Sequence, residues 1–87
     1  MNKSSKRSRG RKDAIDWKAV GRRIRELRGF DMSQDVFARR IGVSQNYLST
    51  AERGQVAIGT EILLRIAREF GKSIEWLLTG DGERKSR

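Results

Sequence analysis

Between residues 14 and 80 the apolar positions recur at steps of three and four, the spacing that gathers them on one face of a helix. Trp17, Val20, Ile24 and Leu27 make the first stripe, with Asp16 placed as its N-cap and Gly29 as its stop. Ser33 caps a second helix whose inward set is Val36, Phe37, Ala38 and Ile41, and Gly42 breaks it. Ser44 caps a third, with Leu48 and Ala51 inward and Gly54 at its close. After a loop over 55–59, Thr60 opens a fourth helix carrying Leu63, Leu64, Ile66, Ala67 and Phe70, which Gly71 ends. Ser73 caps a short fifth, Ile74 to Thr79, ended by Gly80. No segment alternates with period two for long enough to form a strand. The expectation is an all-α fold, a compact globule of five short helices with tight turns.

Composition narrows the chemistry. The 87 residues suit one domain and a modest core. Cysteine and histidine are absent, which removes disulfides, thiolate metal sites and the commonest general base. Paired carboxylates at a plausible cleft are not evident either, so an enzyme is not expected, and neither is a cofactor or a metal. No apolar run approaches the ~20 residues that span a bilayer, and no apolar segment follows the basic start as a secretory signal requires. A cytoplasmic protein without a membrane partner is the expectation.

Charge adds a partner. Twenty Lys and Arg oppose eleven Asp and Glu, a net of +9, and the excess is uneven. Residues 1–13 hold Lys3, Lys6, Arg7, Arg9, Arg11 and Lys12 against one acid and lack apolar periodicity. Three segments are expected: a flexible, disordered basic arm over 1–13, a folded unit over 14–80 and a flexible tail over 81–87. A basic protein of this size suits a polyanion, with nucleic acid ahead of an acidic membrane surface.

One stretch of the sequence narrows the partner further. Residues 33–54 read SQDVFARRIGVSQNYLSTAERG. Two helices that cross steeply need a close approach, for which Ala38 is small, and a tight turn, for which Gly42 permits positive φ. Val43 and Leu48 then hold the third helix on the second. With Leu48 and Ala51 inward, steps of about 100° per residue turn Gln45, Asn46, Ser49 and Thr50 outward. That face is polar and uncharged. Its amides match the donor and acceptor pattern of adenine, and a Thr methyl suits thymine.

These residues resemble the helix-turn-helix of the lambdoid repressor and Cro (XRE) family. The pattern is Ser or Thr, Gln, two variable residues, an apolar-Ala pair, an apolar-Gly-Val turn, Ser, Gln, an apolar residue and a terminal Glu-x-Gly. IRELRG before it and ILLRIAREFGKSIEWLLTG after it extend the resemblance over about residues 17–80. The resemblance implies a lambda-repressor-like fold that binds double-stranded DNA. It places Gln34 on a phosphate, where a helix N-terminus also favours an anion, and has it brace Gln45. It places Gln45, Asn46 and Thr50 against base edges; Ser49, on the same outward face, is expected to join them, and Ser44 and Tyr47 are expected beside phosphates. It pairs Glu52 with a basic residue of the first helix, here Arg28. Two features depart from the family. The loop QVAIG after the motif lacks the usual cation, which leaves Arg9, Arg11 and Lys12 of the arm as phosphate contacts. The join GFDM is one residue shorter than the common form, which bears on the Arg28 pairing.

Trp17, Phe37, Phe70 and Trp76 are spaced as core residues and are given no stacking role. The fifth helix has more apolar residues than a core needs, so Ile74 and Leu78 are candidates for a two-fold interface, the usual way this motif doubles its half-site. The expected function is sequence-specific regulation of transcription. The form in view is a phage or mobile-element repressor that binds an inverted repeat as a homodimer. The alternative is an antitoxin or adaptor whose main partner is another protein, a toxin or an antirepressor.

Overall fold

The computed structural model describes residues 14–81. Five helices follow one another: α1 (Trp17–Arg28), α2 (Gln34–Ile41), α3 (Gln45–Glu52), α4 (Thr60–Phe70) and α5 (Ile74–Thr79). The described residues contain no strand. Among them, no helix is long and apolar enough to cross a membrane.

Polar caps set the helix starts. The Asp16 carboxylate accepts from the Ala19 N–H at 3.2 Å, the Ser33 hydroxyl from Val36 at 3.2 Å, Ser44 from Tyr47 at 3.0 Å, and Ser73 from Trp76 at 2.9 Å. Each satisfies one of the backbone donors that a helix start leaves without an intrahelical partner. α4 has Gly59 at its N-cap and no side-chain cap bond.

The turn between α2 and α3 is closed by backbone alone. Gly42 lies in the left-handed region at φ 77°, ψ 34°. Its N–H donates to Arg39 O at 3.3 Å, and the Val43 N–H donates to Ala38 O at 2.9 Å. This is the paired end that a left-handed residue after a helix creates, and glycine adopts it without a Cβ penalty. The chain reverses at Gly42 and reaches the Ser44 cap two residues later.

α1 packs on α3 and α5, α2 packs on α3 and α4, and α4 packs on α5. The centre is formed by Val20, Ile24, Phe37, Ile41, Leu48, Ile66 and Leu77, all essentially without solvent exposure. Phe37 stacks on Phe70 with ring centroids 5.0 Å apart, joining α2 to α4. Trp17 and Trp76 are half-buried against this core, as their spacing predicts.

Two apolar positions differ from expectation. Val36 is 41 % exposed rather than inward. Phe37, Ala38 and Ile41 define the buried arc of α2, and Val36 stands about 150° from its middle, so an eight-residue helix cannot bury all four. Leu64 is only half-buried, because it lies about 100° from the Leu63, Ile66, Ala67 and Phe70 arc of α4. Ile58, in the loop before α4, is buried and completes the core from outside the helices.

Candidate nucleic-acid interface

α3 is held from behind by Leu48 and Ala51, which are 1 % and 2 % exposed. Gln45 and Asn46 stand exposed in its first turn, and Ser49 and Thr50 are half-buried in the second. All four lie off the core arc, as the periodicity predicts. Their polar atoms are not equally available. The Thr50 hydroxyl donates to Asn46 O at 3.0 Å, so its methyl group and its oxygen lone pairs remain for a ligand. The Ser49 hydroxyl accepts a hydrogen bond from Arg53 Nη1. The Asn46 amide makes no hydrogen bond to another described residue.

A connected set of side chains fixes the start of α3. Arg28 grips Glu52 with both prongs, Nε to Oε2 at 2.8 Å and Nη2 to Oε1 at 2.9 Å, and donates from Nη1 to the Met32 carbonyl at 3.2 Å. The short GFDM join therefore still delivers Arg28 to Glu52. It also presents the Met32 carbonyl as a third acceptor for the guanidinium. Gln34, the first residue of α2, donates from Nε2 to Glu52 Oε1 at 2.9 Å. Gln45 Nε2 then donates to Gln34 Oε1 at 3.5 Å. The line Arg28–Glu52–Gln34–Gln45 thus runs from α1 through the end of α3 and the start of α2 to the start of α3.

Burial differs along that line. The Glu52 and Arg28 side chains are 5 % and 16 % exposed, whereas the Gln45 end is open to solvent. The hydrogen bond to Glu52 raises the Arg28 pKa above its ordinary value, against the opposing effect of burial and with help from the carboxylate charge. A raised basic pKa contributes stability that is present below the unfolded value and is lost only as pH climbs through the folded one. For an arginine that window lies beyond ordinary alkaline pH.

Around this line stand the expected phosphate contacts. Ser44 is exposed. Its oxygen accepts from the Tyr47 N–H, and its own hydroxyl hydrogen stays available. Tyr47 is half-buried, with its ring against the core. Gln34 is less free than the sequence suggests, because one amide hydrogen is committed to Glu52 and one remains. Arg9, Arg11 and Lys12 lie outside the described residues.

One cation was missed. Arg53 follows α3 directly, is exposed, and donates to Ser49 and, at 3.3 Å, to Gln55 Oε1. It occupies the variable place in the Glu-x-Gly signature, where the pattern gives no cue to charge. Gly21 was missed too. A Cβ there would come within 2.4 Å of the Glu52 carbonyl oxygen and 2.6 Å of that of Ala51. A lone glycine inside a helical stripe is the signal for such a backbone approach.

A family model described as helix-turn-helix matches residues 22–77. The chain belongs to that family. Its members of the XRE type are DNA-binding regulators and repressors of transcription. The chain is similar to the P22 c2 repressor protein, solved in complex with a synthetic operator. That likeness has 32% identity and a TM-score of 0.66, over 71% of this chain and 96% of that one. It is also similar to the propionyl-CoA carboxylase regulator of Cereibacter sphaeroides, 37% identical over 66 residues, which is 75% of this chain and 14% of the regulator. A third likeness is to the antitoxin PezA of Streptococcus pneumoniae, 38% identical over 55 residues, which is 62% of this chain and 35% of the antitoxin. The chain thus spans well under two thirds of either curated relative, sharing with each a domain rather than the whole protein.

Proposed function

We propose that this helix-turn-helix chain is a sequence-specific regulator of transcription that sets α3 into the major groove of double-stranded DNA. The observation that carries the reading is the uncharged polar face of α3, whose leading amide, Gln45, is exposed yet braced through Gln34 and Glu52. An exposed amide keeps its hydration in the free protein and so sets no desolvation cost on folding. A braced one loses little conformational freedom on binding. Gln45 and Asn46 offer paired donors and acceptors to adenine edges, and the Thr50 methyl suits thymine. Ser49 lies beside them, held by Arg53.

Phosphates are taken by the second amide hydrogen of Gln34, the hydroxyls of Ser44 and Tyr47, and Arg53. The basic arm adds Arg9, Arg11 and Lys12. Its point of attachment supports this role. The Lys18 backbone lies so close to Gly54 that a Cβ there would come within 2.5 Å of the Lys18 Cα. The start of α1, into which the arm leads, therefore abuts the end of the recognition helix. From there a cationic segment reaches the flanking backbone or an adjacent groove.

Recognition by so small a domain is doubled by a homodimer on an inverted repeat, through the half-buried Ile74 and Leu78 of α5. Occupancy of such a site blocks polymerase, which makes repression the simplest outcome. A phage or mobile-element setting, with action in the cytoplasm, belongs to the same proposal.

The test is selection of bound duplexes from a random pool at near-physiological salt. The expected result is a two-fold symmetric motif with half-sites about one helical turn apart. Binding that disappears with rising salt and enriches no motif overturns the reading. The likeness to the antitoxin PezA favours a second one, in which the same domain serves an antitoxin and the main partner is a protein.

A further inference from the structure

We infer that the Glu52 carboxylate, whose side chain is almost withdrawn from the surface, determines which way round the Gln45 amide faces, and so makes Glu52 a positioning residue for base specificity. The inference rests on the reading of Gln45 as a base-contacting residue and deepens it.

Hydrogen-bond polarity orders the series. A carboxylate only accepts. Glu52 Oε1 lies 2.9 Å from the Gln34 amide, so Gln34 must turn its NH2 group to it. The Gln34 oxygen is then the atom that faces α3. An oxygen there requires a donor, so Gln45 turns its NH2 group inward to meet it, at 3.5 Å. One fixed charge thus orders two neutral amides in series. Arg28 holds that charge in place through two further hydrogen bonds, and only 5 % of the Glu52 side chain meets solvent, so water does not compete for the carboxylate.

The consequence is at the outer end. With its NH2 group tied inward by one hydrogen, Gln45 presents an oxygen acceptor and one remaining N–H. That pair complements adenine, whose N6 donates and whose N7 accepts. A reversed Gln45 would direct its oxygen inward and both N–H groups outward, toward two acceptors. Guanine supplies two, at N7 and O6. The buried acid therefore selects adenine over guanine from a distance. Each amide in the series has two orientations, and nothing else among the described residues bonds either of them.

Four variants of the full chain separate this from a merely structural role. Gln45→Ala on duplexes from the selection first locates the base pair that Gln45 reads, by loss of preference there. Glu52→Gln replaces the acceptor by a group that also donates, and Gln34→Met cuts the series while leaving the Arg28–Glu52 pair whole. Arg28→Lys loosens the grip on Glu52 but keeps its charge. At the located pair the wild-type chain is expected to prefer A·T over G·C about tenfold. Glu52→Gln and Gln34→Met are each expected to bring that ratio within about threefold, whereas Arg28→Lys keeps it at a lower melting temperature. A ratio of two affinities from one preparation does not depend on the folded fraction, and Gln34→Met covers the case in which Glu52→Gln fails to fold. If Gln45→Ala loses preference at no base pair, the base-reading role falls and this inference with it. If it does lose preference while Gln34→Met retains the wild-type ratio, the inference alone is overturned.

Discussion

Glu52 accepts three hydrogen bonds, two from Arg28 and one from Gln34, and is nearly out of solvent. Withdrawing a carboxylate from water costs several kcal/mol, which a well-formed pair with further donors offsets without a large surplus. Removing one partner is different, because it leaves the other charge buried. Arg28→Ala is therefore expected to lower the unfolding free energy by about 3 kcal/mol, measured by urea titration. A loss under about 1 kcal/mol would show that the pair is in effect exposed. Gln45 is the opposite case. It is open to solvent and carries little of the fold, so Gln45→Ala is expected to leave the melting temperature unchanged. It is expected to weaken the selected site by about 1–3 kcal/mol in an anisotropy titration, and random duplex far less. Equal losses on both duplexes would remove the base-reading role.

At the scale of elements, the placement of α3 depends on a glycine in α1. In an exposed helix interior Gly→Ala stabilises by roughly 1 kcal/mol, because alanine loses less backbone freedom. Gly21 is buried, and a Cβ there would press on the backbone carbonyls of Ala51 and Glu52. Backbone cannot rotate away as a side chain does, so α1 and α3 must part. Gly21→Ala is expected to destabilise by about 1–3 kcal/mol in urea titration, a sign opposite to the propensity expectation. The shift falls on Glu52 itself, so affinity for the selected site drops as well. A stabilised variant with unchanged affinity would show that the α1–α3 contact yields easily. The α2–α3 turn has the complementary logic: Gly42 adopts a left-handed conformation there because two backbone hydrogen bonds close the helix end around it.

For the whole molecule, charge and assembly matter more than any single pairing. Deleting residues 2–12 removes six cations. The deletion is expected to weaken binding to all duplexes and flatten the dependence of log affinity on log salt, by roughly 0.9 for each phosphate that is no longer neutralised. An unchanged slope would mark the arm as a bystander. α5 is tied to α1 by Arg23 Nη1 donating to the Leu77 carbonyl at 2.9 Å, and buries Leu77 fully. Ile74 and Leu78 flank it, packed on the core with part of their surface open. Leu78→Glu is expected to abolish cooperative filling of a two-fold site while half-site binding persists. Cooperative binding as before, in a folded variant, would refute that interface.

Local physics determined much of this molecule from its sequence. Asp16, Ser33, Ser44 and Ser73 cap helices because each offers an oxygen to the backbone N–H three residues on, and Gly29, Gly42, Gly71 and Gly80 end them. The core arc of α3 and the Val20–Ile24 centre of the α1 stripe follow from the 3.6-residue period, whereas Trp17 and Leu27 at the ends of that stripe are half-buried and Ala19 and Gly21 beside it are buried. The motif over 33–54 carried the α2–α3 turn and the outward set Gln45, Asn46, Ser49 and Thr50. What sequence could not weigh was competition between neighbours. Val36 is as apolar as Ile41, but only one arc of α2 meets other helices. Gly21 is explained by the backbone of Ala51 and Glu52, far from it in the chain, and Arg53 by a variable position at the edge of the interface. The polarity of the Gln34–Gln45 amides needs three residues from separate helix ends within hydrogen-bonding distance of one another. Periodicity reports which face of a helix turns inward. Only the packed structure brings a buried charge to one end of a series of amides and leaves the other end exposed.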